Sequence, residues 1–226
     1  MAKHNHAEVH ELHRTRPIHG MTDNQKALVS AIDDPFIEQI IITGPAGTGK
    51  SYISVGKAAD YFNKNKQQRI IIVRPMVANG DEIGALPGDE REKSEPWAKR
   101  PLEIIGERIG KGKLQCDLNK ERIEVGILQM MQGASFDDTW LIVDEGQEMT
   151  KEQAKMVVTR MGINSKLIIN GDIAQCNLLE GSGLKYLIDR VGMHKSGKIT
   201  HIEFDIDDCQ RSDVCKDWLI AFEEKP

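Results

Sequence analysis

Eight consecutive residues, Gly44-Pro45-Ala46-Gly47-Thr48-Gly49-Lys50-Ser51, fit the pattern G-x-x-x-x-G-K-[ST]. Polyphosphate is large and highly charged, and holding it takes several backbone N–H donors that converge on one point. Only a tight, glycine-containing loop lets the main chain come that close. Lys50 adds a point charge suited to the β- and γ-phosphates, and the Ser51 hydroxyl is of the kind that ligates the accompanying Mg²⁺. The segment is therefore expected to bind a nucleoside triphosphate with its Mg²⁺.

A second stretch complements the first. Trp140-Leu141-Ile142-Val143-Asp144-Glu145 reads as a buried strand delivering two carboxylates at its carboxyl end. A phosphate-loop enzyme needs this pair: Asp144 to hold the Mg²⁺ shell and Glu145 to act as general base toward the attacking water. An apolar run ending in Asp-Glu is common on its own, and the phosphate loop about ninety residues earlier gives it weight. Gln147 follows, open as a γ-phosphate contact, a coupling residue or a solvated loop side chain. A further polar group, Gly171-Asp172-Ile173-Ala174-Gln175, follows a strand at 166–170 and is expected to face the same crevice, with Gln175 placed to report a γ-phosphate.

Gln25 lies some twenty residues before Gly44, in the first turn of a helix capped by Thr22 or Asp23. Its amide offers a donor and an acceptor together, which suits N6 and N7 of adenine; the alternative is a solvated helix-start glutamine. Arg74 leaves the end of a second strand, open as a phosphate contact or a surface arginine. Arg211 follows Asp205, Asp207 and Asp208, and either pairs with those carboxylates or serves as an arginine finger.

The elements that must position these residues alternate. A strand through Ile40, Ile41, Ile42 and Thr43 feeds the loop, a helix covers 52–63, a turn 65–68 and a strand 69–73. This is a right-handed crossover in a parallel sheet, which places ligands at the strands' carboxyl ends. Residues 79–100, rich in glycine, proline and charge, read as a long loop or insertion. A short helix follows at 101–109, and a hairpin or pair of strands at 113–127. Met130 and Met131 read as core filling. Thr150 with Gln153 marks a capping box for a helix to about Arg160. Gly181-Ser182-Gly183 opens a helix through Arg190, 198–204 is a last strand and 211–222 a terminal helix.

With 226 residues, 29% of them charged and 5% aromatic, and a mean hydropathy of −0.42, the chain is expected to be one globular domain over 21–226. No apolar run is long enough to cross a bilayer and no apolar signal core is evident, so a cytoplasmic protein is expected. Cys116, Cys176, Cys209 and Cys215 form no C-x-x-C pair, which argues against a structural zinc site. Five of the seven histidines, His4, His6, His10, His13 and His19, fall in residues 1–20, which read as a disordered arm or a metal-binding tail. A net charge of −5 leaves nucleic-acid binding open.

Taken in order, GPAGTGKS, RP, LPGD, DEGQ, GDIAQ and DCQRSD resemble the PhoH-like family of P-loop ATPases, whose core is similar to one RecA-like domain of superfamily 1 helicases. The likeness covers about residues 22–222. It implies an α/β, three-layer P-loop NTPase (RecA-like) fold with a mainly parallel central sheet. It further implies Gln25 as the adenine contact, Gly44, Pro45, Ala46, Gly47, Thr48, Gly49, Lys50 and Ser51 as the phosphate loop, and Asp144 and Glu145 as the Mg²⁺ and water pair. Gln175 matches the γ-phosphate sensor and Arg211 the arginine of the late motif. The chain departs from the family at Gln132-Gly133-Ala134, where Arg-Gly-Arg is usual, and at Gly146 and Glu148, where Ala and Asn are usual. The loss of two positive charges weakens the case for nucleic-acid contact at 132–134.

The expected function is Mg²⁺-dependent ATP hydrolysis coupled to RNA or single-stranded DNA. A single RecA-like domain holds half of the site that helicases close between two, so a homo-oligomer, a ring such as a hexamer, is expected to place an arginine in trans, Arg211 or another. The rivals are a nucleotide-gated binding module without turnover and a nucleoside kinase of the thymidine kinase kind. The latter usually carries a cysteine zinc lasso that this sequence lacks.

Overall fold

The computed structural model describes residues 15–65, 68–76, 90–131, 133, 135–178 and 181–223. Six strands form one sheet: β1 (Gln39–Thr43), β2 (Arg69–Arg74), β3 (Ile123–Ile127), β4 (Thr139–Val143), β5 (Lys166–Gly171) and β6 (Ile199–Glu203). Their order is β3-β2-β4-β5-β1-β6 and every pairing is parallel. Parallel strands need crossovers, and the crossover helices cover both faces of the sheet.

That double cover explains the uninterrupted isoleucine and valine runs. Successive strand side chains point to opposite faces, so one run feeds two cores. Ile40, Ile42, Ile70, Ile72, Ile142 and Ile168 enter one core together with Leu28 and Ile32 of α1 (Asp23–Asp33), Phe62 of α2 (Lys50–Lys64) and Ile104 and Ile105 of α3 (Glu90–Ile109). Ile41, Ile71, Val73, Leu141, Val143 and Ile169 enter the other, against Ala154 and Val157 of α5 (Lys151–Thr159) and Leu184 and Leu187 of α6 (Gly183–Val191). The result is the expected three-layer α/β fold around a parallel sheet.

Local signals placed the helix starts correctly. The Thr22 hydroxyl caps α1 by accepting from Gln25 N, and the Thr150–Gln153 capping box opens α5. Ser182 caps α6 and α7 spans Asp213–Glu223.

Three expectations change. The stretch read as a hairpin at 113–127 is a helix, α4 (Lys111–Asn119), followed by the single strand β3. Lys113 and Asp117 form an i,i+4 ion pair of 2.8 Å, and Asp117 also accepts from Arg122 at 3.1 Å, so the polar residues taken for a hairpin turn close a helix instead. The long loop at 79–100 gives way at Glu90 to α3, a 20-residue helix that includes Pro96 and Pro101. The prolines suggested breaks, and burial of Ala98, Ile104, Ile105 and Ile109 outweighs the lost backbone bonds. Residues 77–89, including the LPGD segment, lie outside the described residues, as do 1–14, Gln132 and Ala134.

The arm expected at 1–20 is already docked by Arg16: Ile18 is 7% exposed and packs into the core. Arg108 of α3 organises this corner. It is 7% exposed and grips Asp60 of α2 with two bonds of 2.8 and 2.5 Å, while its Nη1 donates to Arg16 O at 2.8 Å. Guanidinium geometry matters here, because an ammonium cannot make the forked contact. Arg108→Met should therefore destabilise the protein by about 3 kcal/mol or more in urea titration, since it strands a partly buried carboxylate. Arg108→Lys should recover less than half of that loss.

Candidate active site

The parallel sheet brings the carboxyl ends of β1, β5, β4 and β2 to one edge. Because β5 lies between β1 and β4, the residues after it stand between the phosphate loop and the acid pair. A crevice of about 410 Å³ opens there, lined among others by Gly47, Lys50, Ser51, Asp144, Glu145, Asn170, Asp172, Gln175 and Arg211.

The loop owes its shape to glycines in backbone conformations that side chains resist: Gly44, Gly47 and Gly49 have φ of 138°, 85° and 91°. Gly44 also faces Phe204, whose carbonyl oxygen would collide with any Cβ placed there. Thr48 is fully buried and its hydroxyl donates to Pro45 O at 2.9 Å, closing the loop on itself. Gly49 then leads into α2, whose first-turn N–H groups face the crevice.

Lys50 and the acids are brought together. Lys50 Nζ donates to Gly44 O at 2.6 Å and Pro45 O at 2.7 Å, folded back over its own loop. Burial pushes its pKa down, opposed by the charges of Asp172, Asp144 and Glu145. Ser51 Oγ donates to Asp144 Oδ1 at 2.8 Å across 93 residues of sequence. Burial pushes the Asp144 carboxyl above its ordinary value, a shift that Glu145 reinforces and that Ser51, Arg74 and Asn170 oppose. Asn170 is itself held by Ser54 Oγ at 3.1 Å, and its buried Nδ2 has no hydrogen-bond partner among the described residues.

Glu145 adopts the left-handed region, φ 54°, which turns its carboxylate into the crevice mouth. Gln147 holds it there. Its Nε2 donates to Glu145 Oε2 at 2.7 Å while its Oε1 accepts from Asp172 N at 3.0 Å, and the residue is 2% exposed. A solvated loop glutamine is thus ruled out, and the side chain couples the acid strand to β5. Gln175 continues the chain by donating to Asp172 Oδ2 at 2.8 Å. Arg74 approaches Glu145 Oε1 at 3.7 Å.

Arg211 pairs with none of the three acids of 205–208 among the described ion pairs. It lies across Gly47 of its own chain, so close that a Cβ there would stand 2.7 Å from Nε. Its position follows from Gln210 N donating to Gly47 O at 3.1 Å. Arg211 thus reaches the phosphate loop of its own chain. Gln25, by contrast, lies outside the crevice, 3% exposed, with its amide bound to backbone groups. Tyr52 and Arg100 on the crevice wall carry no motif, and sequence reasoning passed over them.

The residues present fit a Mg²⁺-bound triphosphate. A main-chain cradle, an ammonium, a hydroxyl and a carboxylate in contact, and a second carboxylate converge on one edge, which is the donor set such an ion requires. Among the described residues no cluster of His, Cys, Asp and Glu suggests another metal centre, and no helix is long and apolar enough to cross a membrane.

A model of the PhoH-like protein family matches residues 17–223. The chain belongs to the PhoH-like family. Protein PhoH of Escherichia coli (strain K12) is 34% identical over 212 residues, covering 92% of this chain and 59% of that protein. The PhoH-like protein of Bacillus subtilis (strain 168) is 33% identical over 182 residues, covering 80% and 57%. This PhoH-like chain thus spans less than two thirds of the length of these relatives. Among solved structures, the large terminase from a thermophilic bacteriophage superposes with a TM-score of 0.54 at 15% identity, over 91% of this chain and 50% of that one. That likeness is one of fold, a P-loop NTPase fold. Gly146, where the family usually has Ala, has a steric reason: a Cβ there would meet Ile169 Cγ2 at 2.6 Å. Glu148, where Asn is usual, is buried and accepts from Asn177 Nδ2 at 2.8 Å.

The buried acid makes the nucleotide-free protein pH-sensitive in a defined direction. A carboxyl whose folded pKa lies above its ordinary 3.8 costs no stability below that value and costs progressively more as pH rises through the folded pKa. Asp144→Asn keeps an oxygen for Ser51 and removes the charge. Its melting temperature without nucleotide should exceed that of the wild type at pH 7, and the difference should close below about pH 4.

Proposed function

We propose that the crevice binds a nucleoside triphosphate, ATP among them, and hydrolyses its β–γ linkage with Mg²⁺. The observation that carries this reading is the 2.8 Å contact of Ser51 with Asp144 beside Lys50, which joins the loop of one strand to the acid pair of another at one edge. In the proposed mechanism the loop's main-chain N–H groups hold the phosphates. Lys50 exchanges the carbonyls of Gly44 and Pro45 for phosphate oxygens, a step that replaces neutral partners by charged ones. Ser51 and Asp144 would hold the Mg²⁺, which supplies charge neutralisation at the β- and γ-phosphate oxygens when bound.

Glu145, oriented by Gln147, accepts a proton from a water whose oxygen forms a bond to the γ-phosphorus. The bond from that phosphorus to the β-γ bridging oxygen breaks, and the nucleoside diphosphate leaves with the electron pair. Gln175, tethered to Asp172, contacts the γ-phosphate side, and Arg211 over Gly47 offers positive charge toward the transferring group. With that charge available in cis, a ring is not required to complete the site. An oligomer would be seen as activity that falls on dilution, and coupling to RNA or single-stranded DNA as stimulation of phosphate release by one of them.

One observation favours a second reading, a nucleotide-gated binding module. Both Glu145 oxygens are engaged, one by Gln147 and one near Arg74, so each already has a protein partner that competes with a water. The two readings separate on one pair of variants. Lys50→Ala should abolish nucleotide binding in calorimetry. Glu145→Gln should bind ATP as the wild type does while phosphate release falls at least about 10²-fold. Wild-type turnover in Glu145→Gln contradicts the base assignment, and stoichiometric binding without release by the wild type establishes the module.

A further inference from the structure

Gln25 is the residue whose side chain best suits adenine and whose surroundings least permit it. Its Nε2 donates to Thr48 O at 3.0 Å and to Asp208 O at 3.3 Å, and its Oε1 accepts from Met21 N at 2.8 Å. Both amide hydrogens are thereby committed to main-chain carbonyls, in a residue 3% exposed. Reading adenine takes a donor and an acceptor of the same amide presented side by side to N7 and N6.

The three backbone groups belong to three segments, so this glutamine fastens the start of α1 and the 205–208 turn to the back of the phosphate loop. The fastening extends beyond it. Thr22 Oγ1 and Asn24 Nδ2 both donate to the Asp208 carboxylate, the latter at 2.9 Å, and Asp208 is 2% exposed. Freeing Gln25 for a base would leave Thr48 O without its side-chain partner and Asp208 O with Gln210 Nε2 alone, at 3.2 Å, and an unpaired buried carbonyl is costly.

Among the described residues, no other side chain on the crevice wall takes its place. The two amide side chains there stand at the acid end: Asn170 is held by Ser54 at 3.1 Å, and Gln175 is tied by its Nε2 to Asp172. Apart from Lys50 and the acids, the large polar side chains there are Tyr52, Arg100 and Arg211. A phenol ring or a guanidinium plane can stack on the π-face of any base. We propose that this crevice recognises nucleoside triphosphates by their triphosphate and does not discriminate among bases, so that ATP, GTP, CTP and UTP are all substrates. The proposal rests on the hydrolase reading above and deepens it.

The test is a comparison of kcat/KM for the four triphosphates with the wild-type chain and Mg²⁺. A bidentate amide contact to one base would favour it by roughly 5- to 150-fold. Values agreeing within about fivefold are expected, and a preference for any one of the four above about fivefold overturns the proposal. Gln25→Ala should lower the melting temperature by several degrees and leave the ATP-to-GTP ratio within about twofold of wild type. A larger change in that ratio counts against the proposal, and the wild-type comparison decides the matter if the variant does not fold. If none of the four is hydrolysed, the hydrolase reading fails, and displacement of a fluorescent ATP analogue becomes the readout. Equal displacement by GTP, CTP and UTP then supports the base-blind crevice, whereas displacement by ATP alone, or no binding of the analogue, overturns it.

Discussion

A single partly buried polar contact, Ser51 to Asp144, is where the two halves of this site meet, and the rest of the structure can be understood as what makes that contact possible. The loop arrives at the end of β1 and the acid pair at the end of β4, two strands apart in the sheet. Their meeting requires that all strands run parallel, so that their carboxyl ends share one edge. It also requires that β5 between them end in small or short residues, Gly171 and Asp172. A Cβ at Gly171 would collide with Leu184 Cδ2 and stand 3.0 Å from Gln147 Oε1, so the glycine lets α6 and the Gln147 bridge close over the strand.

The same arrangement carries an electrostatic tension. Three carboxylates, Asp144, Glu145 and Asp172, surround one partly buried ammonium, and burial disfavours the charged forms of both Lys50 and Asp144. The molecule settles this locally: Lys50 turns onto its own loop carbonyls, Asp144 takes the Ser51 hydroxyl, and Glu145 takes the Gln147 amide. Each of these bonds uses a group that a phosphate or a divalent cation would otherwise engage. The groups a metal-bound triphosphate would engage are thus already gathered at one edge of the sheet, the kind of preorganisation that phosphoryl transfer depends on.

Much of this was legible in the sequence because it was written in local signals. The G-x-x-x-x-G-K-S loop, the apolar run ending at Asp144 and the polar group after β5 each announced a strand end, and parallel topology follows from strand-helix alternation. The family likeness agreed with that reading. What stayed hidden was set by packing at a distance. Gln147 looked like a loop residue because its second partner, the Asp172 amide, lies 25 residues further on, after β5. Arg211 left pairing with the acids of 205–208 open because nothing in its own surroundings reveals that Gln210 binds Gly47. Gln25 looked free because its burial is imposed by Asp208, 183 residues away. Charge and proline at 90–100 read as loop, and the short helix read at 101–109 gave no sign that it extends back to Glu90.

The account stands or falls on where a metal-bound triphosphate sits. The direct measurement is a crystal structure with a non-hydrolysable nucleoside triphosphate and Mn²⁺ in place of Mg²⁺, read from the anomalous signal of the manganese. The expected result is one peak between Ser51 Oγ and the Asp144 carboxylate, with Lys50 moved off the carbonyls of Gly44 and Pro45 onto the phosphates. Manganese or triphosphate found away from that edge of the sheet, with the Ser51–Asp144 bond undisturbed, would contradict it.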